Sequence, residues 1–186
     1  MSDLYSIVEQ WTGGYCAGAI MPKTFRIEAS FWFDKTFELC KRESLTSIID
    51  TNNIIYRIQT LETKEKCVIK YDDLYYSFSN DINGLKQVIR KDSYIKSNLI
   101  IIEYKPLKPI NLNNLLDDMY VGYKSIYTSE NEILSKLSKS NVKNIYYLKD
   151  SKDICNYKTK GMKIDIKDSC LSYEKFIKKY KIGMCV

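Results

Sequence analysis

Apolar and polar residues follow two different periods along this chain. Over residues 24–33, Phe25, Ile27, Ala29 and Phe31 fall on one side, and Arg26, Glu28 and Ser30 on the other. That period of two predicts a strand. Residues 15–21 read as a strand before it, joined through a Met21-Pro22-Lys23 turn. A third strand is expected over 54–59, after Asn52 and Asn53. Val68, Tyr71, Tyr75 and Phe78 recur at three- and four-residue steps, which predicts a helix over 66–78. A second short helix is expected over 81–90. Residues 98–104 form a strongly apolar strand, and 119–125 a weaker one. Ser129 and Glu132 make a capping box that opens a helix with Ile133, Leu134 and Leu137 on one face. Residues 142–157 fit a strand in their first half, but Val142, Ile145 and Tyr146 also fit a helix. After Gly161, Met162, Ile164 and Ile166 alternate with Lys163, Asp165 and Lys167 in a last strand.

The resulting order is strands, two helices, strands, two helices, strand. Grouped elements of this kind predict α+β layers rather than βαβ repeats. With 186 residues and no repeat, low-complexity segment or Pro/Gly-rich linker, one domain is expected.

Composition removes several kinds of chemistry. The chain has no histidine, so Ser-His, Cys-His and His-metal sites are excluded. Its six cysteines are scattered without a CxxC pair, which points to free, mostly buried thiols rather than a zinc site or a disulfide framework. No metal or cofactor is expected. The N-terminus lacks a basic and then apolar leader, and no apolar run approaches the roughly 20 residues of a membrane span. A cytoplasmic or nuclear protein without membrane contact is expected. The net charge is +6, with lysine far ahead of arginine. Lysines look dispersed along the chain, apart from Lys175, Lys178, Lys179 and Lys181, which read as a solvated helix face. No nucleic-acid partner is expected on that reading.

Gly13-Gly14 ahead of the predicted hairpin, followed by a helix pair, a strand pair, a helix pair and a final strand, resembles the beta-type subunits of the proteasome core particle. The local matches are residues 13–20, Ser47-Ile48-Ile49-Asp50 with Asn53-Ile54-Ile55-Tyr56, Val121-Gly122-Tyr123, and Lys160-Gly161-Met162-Lys163-Ile164. The resemblance implies a four-layer α-β-β-α sandwich of the N-terminal-nucleophile hydrolase type. Residues 1–12 would form an N-terminal extension and 13–186 the subunit domain. In that family an N-terminal threonine supplies both hydroxyl nucleophile and amine base, tuned by an aspartate and a lysine. Those positions fall here on Gly14, Ser30 and Thr46, and the later supporting ones near Val121, Asn156 and Lys160. None is the required residue. The resemblance therefore implies a non-catalytic structural subunit, like the third or sixth ring position. Its partners would be beta-type subunits in the same and opposite rings and alpha-ring subunits, and neighbouring threonine-protease subunits would carry out hydrolysis in intracellular, ATP- and ubiquitin-linked protein degradation.

Two other readings arise from the residues. Asp92, then Glu103-Tyr104-Lys105 after the apolar run 99–102, resembles the D…ExK core of a metal-dependent nuclease, with two carboxylates for Mg²⁺ and a lysine near the phosphate. A basic accessory protein on RNA or the ribosome is the other; it would need a lysine-rich face. Trp11 and Trp32 are candidate anchors against neighbours, and Tyr15, Cys16 and Phe31 candidate core or interface packing.

Overall fold

A computed structural model describes residues 3–14, 21–49, 52–61, 66–91, 95–119 and 131–183. Its helices are α1 (Leu4–Glu9), α2 (Lys23–Arg42), α3 (Ile82–Lys91), α4 (Leu112–Asp118), α5 (Tyr157–Lys160) and α6 (Tyr173–Tyr180). Its strands are β1 (Ile55–Thr60), β2 (Tyr75–Ser79), β3 (Ser97–Tyr104), β4 (Ile110–Asn111), β5 (Glu132–Lys136), β6 (Val142–Asp150) and β7 (Met162–Ile164). The strands form one antiparallel sheet in the order β4-β5-β2-β1-β3-β6-β7. The architecture is mixed α and β, with helices on a single sheet among the described residues.

β3 is the centre of the core. Leu99, Ile100, Ile101 and Ile102 have no exposed surface. Ile100, Ile102 and Tyr104 enter one apolar cluster with Phe78, Ile133, Ile145, Ile164 and Phe176, which α6 and the loop around Val68 and Ile69 cover. Leu99 and Ile101 face the other way, into a cluster with Ile58, Leu85, Tyr146, Ile154 and Tyr157 under α3 and α5. On that same face a second, separate cluster joins Ile7, Trp11, Phe25, Phe33, Tyr75, Leu115 and Leu134 under α1, α2 and α4.

Two clusters share one face because the sheet parts between β1 and β2. These strands meet at a single pair, Tyr56 with Ser79, whereas β1 and β3 pair along six successive positions from Ile55–Tyr104 to Thr60–Leu99. Polar side chains fill the gap. Arg57 donates from its guanidinium to Ser77 O at 2.8 Å. Ser30 Oγ on α2 accepts the Tyr75 N–H at 2.8 Å. α2 thus supplies the acceptor that the neighbouring strand does not reach.

The sequence expectations at β1, α3 and β3 agree with these elements; the last strand is shorter than expected, since β7 ends at Ile164 and Ile166–Cys170 is a 3-10 turn; Val142–Asp150 takes the strand of the two readings open there; and α6 carries its lysines outward with Phe176 buried. Three require correction. Residues 24–33 are helix, not strand. Phe25, Ala29, Phe33, Thr36 and Cys40 form a buried stripe at steps of four, four, three and four, and the stripe shows only when the window extends past Phe33. Lys41 and Arg42 close the helix at the end where the macrodipole favours cations. Residues 66–78 are not a helix. Val68 and Ile69 donate backbone hydrogen bonds to Leu171 O and Ser169 O, and Tyr75–Ser79 is strand. Glu132–Lys136 is also strand, with Ile133 and Leu134 buried on opposite faces, so a short apolar run read as helix settles in a doubly covered sheet. The two packed sheets of the expected sandwich reduce, among the described residues, to one. The proposed boundary at residues 12/13 falls inside a π-helical turn, Gln10–Gly14, and Ile7, Val8 and Trp11 ahead of it are buried in the core. The strands expected over 15–21 and 119–125 lie mostly outside the described residues.

Phe33 has no exposed surface and sits edge-on to both Trp11 and Tyr75. Phe33→Ala is expected to cost about 3–5 kcal/mol of unfolding free energy, measured by urea denaturation.

Candidate functional site

Gly14, Ser30 and Thr46 do not converge. Gly14 ends the π-helical turn. Ser30 is buried mid-helix with its hydroxyl engaged by the Tyr75 N–H. Leu45 N donates to Cys40 O at 2.9 Å, which holds the exposed Thr46 at the C-terminal end of α2. Twelve residues of helix, about 18 Å, separate Arg42 at that end from Ser30. Thr46 contributes its carbonyl, which accepts from Asn114 Nδ2 at 2.7 Å. Asn156 caps α5 and the exposed Lys160 ends it, beside β6 and β7, with β1 and β3 lying between these strands and β2. Val121 lies outside the described residues.

The residues of the D…ExK pattern separate as well. Asp92 is outside the described residues. Lys105 follows β3, is exposed, and donates its backbone N–H to Asn141 O. Glu103 points into the core, where Tyr157 OH donates to Oε1, Lys158 Nζ approaches Oε1 at 2.9 Å and Asn144 Nδ2 donates to Oε2 at 2.6 Å. Burial opposes the charge of Glu103, but hydrogen bonds from Tyr157, Lys158 and Asn144 outweigh it and hold the carboxyl below its ordinary range. The tyrosine is pushed up in turn, by burial first and then by the carboxylate it serves. This group ties α5 to the sheet and accounts for every partner of a carboxylate on the core side of β3.

A second polar group fills the β1–β2 gap. Guanidiniums of Arg26 and Arg57 lie 4.5 and 4.8 Å from the centroid of the Tyr76 ring. Tyr76 OH donates to Asp72 Oδ1 at 2.9 Å. Nearby, Trp11 Nε1 donates to Glu132 Oε1 at 3.1 Å, joining the π-helical turn to β5. Burial draws Arg57 down to about 10, so it stays charged at neutral pH. Among the described residues no group of three or more His, Cys, Asp or Glu side chains could hold a metal ion. Of the four described cysteines only Cys40 is buried; Cys155 and Cys170 are exposed, against the expectation of mostly buried thiols. No described helix is long and apolar enough to cross a membrane.

The feature that sequence reading missed is the outer face of α2. Ile27, Phe31 and Leu39 stand at i, i+4 and i+12 and are 50%, 53% and 46% exposed. Lys35 occupies the remaining place in the row, its Nζ 4.2 Å from the centroid of the Phe31 ring. Half-buried Trp32 lies edge-on to Phe31. The signal is a second helical stripe beside the buried one, which an alternation placing Phe25, Ile27, Ala29 and Phe31 on one face conceals. No protein-family model and no curated protein matches this chain.

Two stability predictions follow from these contacts. Ser30→Ala leaves the Tyr75 N–H without its acceptor and is expected to cost about 1–3 kcal/mol, while Thr46→Ala changes stability by less than about 0.5 kcal/mol; chemical denaturation of both variants measures the contrast. The depressed Glu103 carboxyl stabilises the fold above its ordinary value of 4.5, and that contribution is lost as pH falls below it, through the folded-state value. Glu103→Gln should flatten this part of the pH profile and lower stability at neutral pH, read as melting temperature from pH 7 downward.

Proposed function

We propose that this chain is a non-catalytic architectural subunit of a larger protein assembly and docks on a neighbouring subunit through the outer face of α2. The observation that carries the reading is the row of Ile27, Phe31 and Leu39 on a helix whose opposite stripe is already buried. Complete burial of each such side chain contributes about 1.5–3 kcal/mol, and rows of this kind on helices are the usual anchors of helix-in-groove contacts. The commitment of Ser30 to the backbone of β2 supports a structural use of the position where a nucleophile-assisting aspartate would stand.

The narrower form of the proposal is a structural beta subunit of a proteasome core particle in cytoplasm and nucleus, with the four-layer sandwich and the ring contacts of that family. It rests on the local matches in the sequence at residues 13–20, 47–56, 121–123 and 160–164, and not on the order of elements, which differs at residues 24–33, 66–78 and 132–136. The helix over residues 24–33 and the single sheet lend it nothing.

Native mass of the source complex tests both forms. The chain is expected in a large particle, and Phe31→Asp is expected to release it without a change in melting temperature, because Phe31 is exposed within the described fold. Recovery as a small free monomer would overturn the assembly reading. A large particle without threonine-protease subunits would keep the architectural role and remove the proteasome.

A further inference from the structure

Lysines that look dispersed along the sequence are gathered by the fold. Residues 142–181 hold eleven lysines, no arginine and five acidic residues, whereas the rest of the chain is balanced at eighteen basic to eighteen acidic. The whole net charge of +6 therefore resides in the segment from β6 through α6. That segment builds one edge of the molecule: β7 is the terminal strand, α5 packs against the face bearing Tyr146 and Tyr157, and α6 packs through Phe176 against the opposite face. Lys163 on β7, Lys160 at the end of α5, Lys149 near the end of β6, and Lys175 and Lys178 on α6 are all exposed. The register of β6 on β3 passes from Asn144 opposite Glu103 to Val142 opposite Tyr104, leaving Lys143 unpaired and exposed between them. Lys158, Lys167 and Lys179 are matched by Glu103, Asp165 and Asp168. The other eight of the eleven have no carboxylate partner among the described residues.

We infer that this β6–β7 edge binds duplex nucleic acid through its phosphate backbone. Ammonium groups without any arginine suit point contacts with phosphates and not the bidentate reading of base edges. Among the described residues, the exposed large apolar side chains are Tyr5, Ile27, Phe31, Leu39 and Leu45, all in or near α1 and α2. Among its described residues the basic edge thus has no fully exposed apolar wedge for a lipid surface and no fully exposed aromatic on which single-stranded bases would stack. The site lies at the other end of the sheet from the strands that α2 covers, so it stands or falls independently of the docking proposed for that helix.

The test is fluorescence anisotropy of the full chain with labelled mixed-sequence RNA and DNA duplexes over a salt series. Polyglutamate and phosphatidylserine vesicles serve as competing polyanions. Binding to a duplex is expected, with log affinity falling linearly against log salt. The triple variant Lys149→Glu, Lys160→Glu and Lys163→Glu should weaken it at least about tenfold and reduce the salt slope by about one for each lysine removed. A control with the same charge change, Lys23→Glu, Lys41→Glu and Lys86→Glu, should shift affinity less than about threefold, because charges beyond the Debye length are screened. A glutamine set at the edge positions, matched in melting temperature, replaces the glutamate set if that unfolds. Absence of duplex binding at low salt, equal loss in the control, or capture by polyglutamate or vesicles in preference to both duplexes would overturn the inference.

Discussion

A strand buried on both faces constrains everything around it. Leu99 through Ile102 present no surface to water, and a run of that kind is stable only when cover lies above and below the sheet. The chain meets the demand with α6 on one face and α3 with α5 on the other. Once both faces are closed, the polar residues near β3 must find partners inside. Glu103 does so through Tyr157, Lys158 and Asn144, so a carboxylate that resembled part of a metal site serves to fasten a helix.

The parts that the sequence disclosed are those where one period dominates. β3 holds the uninterrupted apolar run Leu99–Ile102, β7 sets Lys163 between Met162 and Ile164, and α3 has a single amphipathic stripe. Residues 24–33 satisfy two periods at once, since Phe25 and Ala29 belong equally to an alternation and to a helical stripe. Only Thr36 and Cys40 beyond that window, continuing the stripe from Phe33, decide the matter. Residues 132–136 fail for the opposite reason: five residues with apolar neighbours at Ile133 and Leu134 carry too little pattern, and β2 with β4 on either side determines the outcome. The spacing from Gly14 to Ser30 and Thr46 was legible as spacing alone. A helix turns the same separations into about 18 Å of axial distance between Ser30 and the end bearing Thr46, so the constellation dissolves.

The two candidate surfaces were hidden differently. The row on α2 depends on helical geometry that the alternating reading suppressed. The basic edge depends on tertiary structure, because its lysines come from two strands, two helices and a bulge. Counting charge by segment, rather than by local cluster, would have exposed the imbalance before any fold was known.

The single pair that joins β1 to β2 divides the sheet into a three-stranded part carrying α2 and a four-stranded part ending at the basic edge. A ladder of one rung resists shear far less than the six-pair ladder next to it. Arg57 and Ser30 act as spacers across this seam and not as a continuation of the weave. The molecule is therefore built as two plates on a shared hinge line, and a load taken up on the apolar plate reaches the cationic one through one strand pair and the continuous core on the opposite face.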